Sequence, residues 1–198
     1  SWNKLVYVEA TGRNDWSSTL PSTGRSYFYP SVASSFVISE LLPGTRNWLD
    51  LLKVRNSWTV SKTPPGIYAI NSSYSVNSGT WGTLNGASAP GNLYPSGILP
   101  ATATTLETGL QGIMFKSRFL VDVSYYDKKM ENAIITGPLS AATGYTGNFI
   151  NTKEAISRRG WEVVLNGSPI KTKDWQWNVG VNWSTYKEVY AAFAGGVT

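Results

Sequence analysis

Histidine and cysteine are both absent from this sequence of 198 residues, and each absence removes whole classes of chemistry. Without cysteine there is no disulfide framework, no thiolate zinc site and no thiol nucleophile. Without histidine there is no Ser-His-Asp triad, no imidazole metal ligand and no ordinary general base near neutral pH. Neither a cofactor nor a metal is therefore expected, and no catalytic residue is assigned. Charge is also scarce, at 15% of the chain with a net +5. The basic residues are scattered, and the densest groups are Arg158-Arg159 and Lys171 with Lys173. A nucleic-acid groove needs a thicker basic stripe, so nucleic acid is set aside as a partner. No apolar run approaches the ~20 residues of a membrane helix, and any membrane residence must take β form. The opening residues carry no charged-then-apolar leader and go straight into strand-like sequence at Trp2, as expected of a chain that starts inside a longer protein.

Glycine (19), tryptophan (9) and tyrosine (11) are abundant instead, a balance that suits strands, turns and interfacial aromatics. The clearest stretch is Trp175-Gln-Trp-Asn-Val-Gly-Val-Asn-Trp-Ser184. Its odd positions, Trp175, Trp177, Val179, Val181 and Trp183, are apolar, and its even ones are polar or glycine, which is the period of a strand. Indole rings at both ends of an apolar face with valines between them fit a strand crossing a bilayer. About 26 Å of strand, tilted by about 45°, spans nearly 19 Å of height, inside an apolar band about 25 Å tall. A solvated strand on the core of a soluble sandwich is the competing explanation for this stretch alone.

The same alternation recurs along the chain. Val6, Val8 and Ala10 oppose Tyr7, Glu9, Thr11 and Arg13; Phe28, Pro30, Val32, Ser34, Phe36 and Ile38 oppose Tyr29, Ser31, Ala33 and Ser35. Val54, Trp58 and Val60 oppose Lys53, Arg55, Ser57 and Thr59. Leu106, Leu110 and Met114 oppose Thr105, Glu107 and Gln111. Phe119, Val121, Val123 and Tyr125 oppose Arg118, Asp122, Ser124 and Tyr126, and Trp161, Val163 and Leu165 oppose Arg158, Gly160 and Glu162. With the Trp175 stretch this makes seven strands. Between them lie a turn-rich loop over 14–25, a turn at Leu42-Pro-Gly-Thr45, a long loop near 62–103, a tight turn at Lys116-Ser117, a second long loop near 131–154 and a hairpin turn at Asn166-Gly167. Short turns and extended loops in this order match an outer-membrane barrel with brief periplasmic turns and long external loops. Seven is odd, whereas single-chain bacterial barrels close with even numbers, and two bare edges are costly in lipid. The expectation is an all-β, antiparallel, up-and-down transmembrane β-barrel present as an incomplete arc of about seven strands over 1–190, with 191–198 an unassigned tail.

Particular wording in the strands carries a resemblance. Thr11-Gly-Arg-Asn-Asp-Trp-Ser-Ser18 followed by Tyr27-Phe-Tyr-Pro-Ser-Val32, then Leu52-Lys-Val-Arg-Asn-Ser57, Leu106-Glu-Thr-Gly-Leu110, Val123-Ser-Tyr-Tyr-Asp127, Gly160-Trp-Glu162 and Trp175-Gln-Trp-Asn178 appear in that order. Together they resemble the later barrel strands of SusC/RagA-type TonB-dependent outer-membrane transporters. The resemblance implies a plugged barrel of about 22 strands that imports oligosaccharides or peptides in Bacteroidetes-like bacteria. It further implies a SusD-like surface lipoprotein as lid, energy drawn from TonB through a part of the protein not present here, and outer-membrane lipid around the wall. Leu99-Pro-Ala-Thr-Ala103 departs from the family wording by lacking an acidic residue before Leu106.

Candidate functional residues follow from position. Arg13, Asn14 and Asp15 sit at the outer mouth of a strand pair, where they either meet a ligand or hold the loop. Tyr68, Trp81, Tyr94 and Tyr145, in the loops, either stack on a glycan or peptide ligand or pack loops together. Lys53, Arg55, Arg118, Asp122, Arg158 and Glu162 are expected on the lumen side, paired with a plug or with one another. Trp161, Val163, Trp175, Trp177, Val179, Val181 and Trp183 are expected to face lipid or its interface. Asp122 and Asp127 fall on opposite faces of one strand, which argues against a paired-carboxylate hydrolase. The competing readings are a soluble β-sandwich that binds carbohydrate through loop aromatics and a porin-like barrel without TonB coupling.

Overall fold

Alternating sequence becomes alternating faces. The computed structural model describes residues 2–94 and 97–192, with β1 Val6–Trp16, β2 Ser26–Val37, β3 Leu49–Thr63, β4 Ser75–Trp81, β5 Leu84–Ser88, β6 Asn92–Leu93, β7 Ala101–Met114, β8 Phe119–Glu131, β9 Ile134–Pro138, β10 Gly147–Asn151, β11 Ala155–Lys171 and β12 Gln176–Ala192. Apart from strands, the described residues hold only short 3-10 turns. Seven strands form one sheet in the order β1-β2-β3-β7-β8-β11-β12, every pair antiparallel. Each wall strand is bonded to the wall strand that follows it, an up-and-down meander that does not close on itself.

Register fixes which side chains share a face, because residues opposite one another across antiparallel strands point the same way. Val54, Leu110, Val123, Val163 and Trp183 form one continuous row across five strands. This face is apolar and bare: Trp161, Val181 and Trp183 are 49%, 52% and 54% exposed. A soluble sandwich requires a second sheet over them, and the two small sheets are built from the long connections instead. The opposite row, Arg55, Gly109, Ser124, Glu162 and Ser184, belongs to the polar face.

The connections divide by edge. At one edge lie 38–48, 115–118 and 172–175; at the other lie 17–25, 64–100 and 132–154. The 115–118 turn places Phe115, Lys116 and Ser117 at φ 58°, 58° and 60°, an uncommon run for non-glycine residues. Its neighbour props it: Phe115 N donates to Trp48 O at 2.7 Å and Ser117 N to Asp50 Oδ2 at 2.8 Å.

At the other edge the long connections fold together. β6, β10 and β9 make a three-stranded sheet and β4 and β5 a hairpin. The Asn151 side chain accepts from Leu99 N and donates to Leu99 O, both at 2.8 Å, so an amide stands in for a strand partner between the two connections. Beneath this layer is the principal buried cluster: Leu20, Tyr27 and Ile98, joined by Tyr29, Ile70, Ile134 and Phe149.

Four expectations are corrected. β1 continues through Trp16, so the first loop begins at Ser17 and not at Asn14, because Asn14 and Asp15 still pair with Phe28 and Tyr27. Asn166-Gly167 is not the hairpin turn: both residues pair within the β11–β12 ladder, a bulge falls between Gly167 and Ile170, and the chain reverses at 172–175, where Thr172 N donates to Trp175 O at 2.7 Å. A glycine in a strand marks a bulge as readily as a turn. The stretch 131–154 is not simply loop, since it contains β9 and β10. Of the supposed tail, Ala191 and Ala192 belong to β12, and 193–198 lie outside the described residues.

Candidate functional site

The polar face of the wall carries three side-chain clusters, each made possible by register. Near the long-connection edge, Arg13 Nε donates to Asp15 Oδ1 at 2.7 Å and Tyr29 Oη donates to Asp15 Oδ2 at 2.6 Å. Arg13 also lies 5.9 Å from the Tyr29 ring centroid, and Tyr29 stacks with Tyr27 at 6.1 Å. This arrangement ties the strand pair to the buried cluster while using only one of the three Arg13 nitrogens; the side chain is 71% exposed.

Farther down the face, Arg55 on β3 reaches over β7 to Asp122 on β8, with Nη1 to Oδ2 at 2.6 Å and Nη2 to Oδ1 at 2.8 Å. The reach crosses Gly109, where a Cβ would stand 2.7 Å from Arg55 Nε. Any side chain at 109 would have to displace the guanidinium lying across it. Gln111 Nε2 adds a bond to Asp122 Oδ2 at 3.3 Å and Glu107 lies 3.7 Å from Arg55. Bidentate geometry on a half-buried pair makes this a strong, directional contact. Beside it a depression of about 440 Å³ is lined by Glu9, Ala33, Ser35, Arg55, Ser57 and Glu107 among others; the small side chains on β2 and β3 leave it open.

The third cluster is on β11 and β12. Arg158 donates through Nε and Nη2 to Glu188 Oε2 at 2.8 and 2.6 Å and lies 4.9 Å from the Tyr186 ring centroid. Next to it Tyr126 covers Gly160, whose missing Cβ would meet the Tyr126 Oη at 2.8 Å. Among the described residues no group of three or more acidic side chains converges as a metal site.

The residues singled out from sequence distribute unevenly. Asn14 and Asp15 do not form one site: Asn14 is on the apolar face, donating to Ser26 Oγ at 2.9 Å, while Asp15 is on the polar face. Strand parity separates neighbours, and a loop reading had hidden it. Tyr68 and Trp81 are highly exposed, at 79% and 85%, whereas Tyr94 packs on Phe149 at 5.9 Å and Tyr145 is half-buried. No ring contact among the described residues joins these four to one another. Lys53 and Glu162 lie on the polar face without an ion pair among the described residues, and Arg118 is not on that face but in the 115–118 turn. Trp161, Val163, Trp177, Val179, Val181 and Trp183 share the apolar face, and Trp175 ends the turn before β12. Asp127 lies on the face opposite Asp122 and is engaged by Arg159 Nε and Ser157 Oγ, both at 2.8 Å. The Arg55-Gly109-Asp122 crossing was missed from sequence; its only signal was a glycine inside the Leu106–Leu110 alternation.

Comparison with known proteins matches this geometry. The family model described as "TonB dependent receptor-like, beta-barrel" covers residues 1–197. Two relatives from Formosa agariphila, TonB-dependent receptor P26 and TonB-dependent receptor P3, are 28% and 25% identical over 84% and 89% of this chain. The chain spans 17% and 18% of their lengths. The solved structure of the RagAB peptide transporter superimposes with a TM-score of 0.85 at 22% identity, over 98% of this chain and 22% of that one. The fold is thus shared with that structure, and the family is one of receptors and transporters, not an enzyme class. With an open seven-stranded arc, one bare apolar face, one charged face and a family match along nearly its whole length, the chain belongs to the TonB-dependent receptor-like β-barrel family.

Proposed function

We propose that the chain is wall and vestibule of an outer-membrane importer of oligosaccharides or peptides, working beneath a SusD-like surface lipoprotein, with TonB engaged through another part of the protein. Barrels of this family are outer-membrane proteins. The observation that carries the reading is the division of the sheet into a bare apolar face and a polar face with the cross-strand pairs Arg55–Asp122 and Arg158–Glu188; the ion pairs on the apolar face, Arg159–Asp127 and Lys129–Glu131, lie toward the long-connection edge, past the apolar band. Lipid on the first and a hydrated lumen on the second account for both. The apolar residues Trp161, Val163, Trp177, Val179, Val181 and Trp183 then meet hydrocarbon or its boundary, with Trp175 at the interface. The connections near 62–103 and 131–154 are extracellular.

The peptide class draws support from the likeness to the RagAB peptide transporter. A ligand entering from the long-connection edge meets exposed Tyr68 and Trp81 first and then Arg13 beside Asp15, whose unused guanidinium nitrogens suit a carboxylate. Tyr94 and Tyr145 hold the vestibule from behind. No covalent step is involved: the solute binds, the lumen opens, and passage follows the polar face. A porin-like barrel without TonB coupling is disfavoured by the family match.

Two measurements test this. The whole protein should leave the membrane only with detergent; recovery as a free soluble protein overturns the reading. Whole transporter carrying Tyr68→Ala and Trp81→Ala should bind peptide or oligosaccharide about three- to tenfold more weakly, the loss of one or two aromatic contacts. Unchanged affinity for both ligand classes would remove these residues from the vestibule.

A further inference from the structure

The short-connection edge of the apolar face is not flat. A groove of about 790 Å³ opens there, floored by Phe115, Phe119, Leu165, Val179 and Val181, a volume within the ~300–1,000 Å³ of ligand clefts. Its depth comes from Gly167, which stands in register between Phe119 on β8 and Val179 on β12 and contributes no side chain. Neither backbone nor packing requires glycine at that position: its φ is outside the left-handed region, and a Cβ would find its nearest atom, Phe119 Cδ2, at an ordinary 3.4 Å. The bulge that follows carries Ser168 and Pro169 along the groove's side.

At the rim is Arg118. It is exposed and forms no ion pair among the described residues; its backbone is bonded to Met114 O and Ser168 N, and the one hydrogen bond of its side chain among the described residues is a long one, from Nη2 to Lys171 O at 3.4 Å. Lys116 lies two residues away in the same turn, and Asp50, at the start of β3 beside that turn, accepts from Ser117 N. An apolar trough ending at an uncompensated guanidinium calls for an occupant with hydrocarbon at one end and an anion at the other. Guanidinium binds phosphate through paired charge-assisted bonds.

We infer that this groove is a glycerophospholipid site in the leaflet at the short-turn edge, an acyl chain lying along Phe119, Gly167 and Val179 and the phosphate meeting Arg118. It rests on the reading of the apolar face as lipid-facing. A lipid seated here fills the trough left by Gly167 and locks the β7–β8 and β11–β12 turns together.

The test uses the whole transporter in mild detergent, observed by native mass spectrometry with dioleoyl phosphatidylglycerol or dioleoylglycerol added. The second probe has the same chains and no phosphate. Wild type should retain the phospholipid and not the diacylglycerol. Gly167→Leu, by plugging the trough, and Arg118→Gln, on an exposed turn where the fold is not at stake, by removing one charge-assisted contact, should each lower retention about tenfold. Unchanged retention in either variant, or equal retention of the diacylglycerol by wild type, overturns the site while leaving the membrane reading intact. Protein that needs no detergent overturns both.

Discussion

The wall and the loop layer of this chain are stabilised by different means. The loop layer has a buried core, with Leu20 fully buried and Ile98 2% exposed, packed on Tyr27 at the end of β2. Along the middle of its strands the wall has none: Val37, Leu49 and Ala155 are buried at strand ends, while Trp58, Leu106, Leu110, Trp161, Trp177 and Trp183 are all exposed. Within the chain, the wall is held by its backbone ladders and by charge pairs such as Arg55–Asp122. The rest of its stability must come from outside, from lipid on one face and lumen contents on the other. A sheet one layer thick cannot bury either face by itself.

That contrast can be broken from either side. Leu20→Ala should remove about 2–5 kcal/mol from the loop layer, and hydrogen exchange should show protection falling around Ile98 and Phe149 while β7, β8 and β11 are unaffected. Equal loss in those wall strands would mean that the two regions fold as one. Leu165→Arg, on the apolar face between Trp161 and Ile170, should cost up to about 2–4 kcal/mol in a bilayer, and its neighbour Asn166→Arg on the polar face much less. Reversible unfolding of the parent barrel into liposomes measures both, and equal costs would undo the assignment of faces. Arg55→Met should cost about 1–3 kcal/mol by stranding Asp122. Gly109→Val should reproduce much of that loss, because its side chain displaces the same guanidinium.

The smallest effect concerns a polar pair on the apolar face, where Thr108 Oγ1 donates to Asn56 Oδ1 at 2.9 Å. Thr108→Val alone should cost about 1 kcal/mol, and the double change with Asn56→Leu should be near neutral, since replacing both partners leaves nothing unsatisfied. An additive double change would show that water, not hydrocarbon, covers this spot.

Much of this was legible beforehand because a strand's period is two. Once Trp177, Val179, Val181 and Trp183 are seen to alternate, their neighbours' face follows, and the seven strands and their order could be read from local pattern. The misreadings came where composition competes with pairing. Asn14-Asp15 and Asn166-Gly167 are turn-like pairs, yet both remain in strands because the partner strand supplies ladder bonds that local propensity does not weigh. The sheet formed by β9, β10 and β6 was missed for the same reason, since β10 pairs with a segment far away in sequence.

Sequence alone therefore settled the alternation of faces, the number of wall strands and the edge on which long connections gather, because these depend on residues adjacent in the chain. Only the tertiary structure decided that Arg55 meets Asp122 across Gly109, that Asn14 parts from Asp15, that Asn151 joins two connections and that Gly167 opens a trough beside Arg118. Each of those depends on register between strands distant in sequence, and a shift of one residue would send every side chain to the other face.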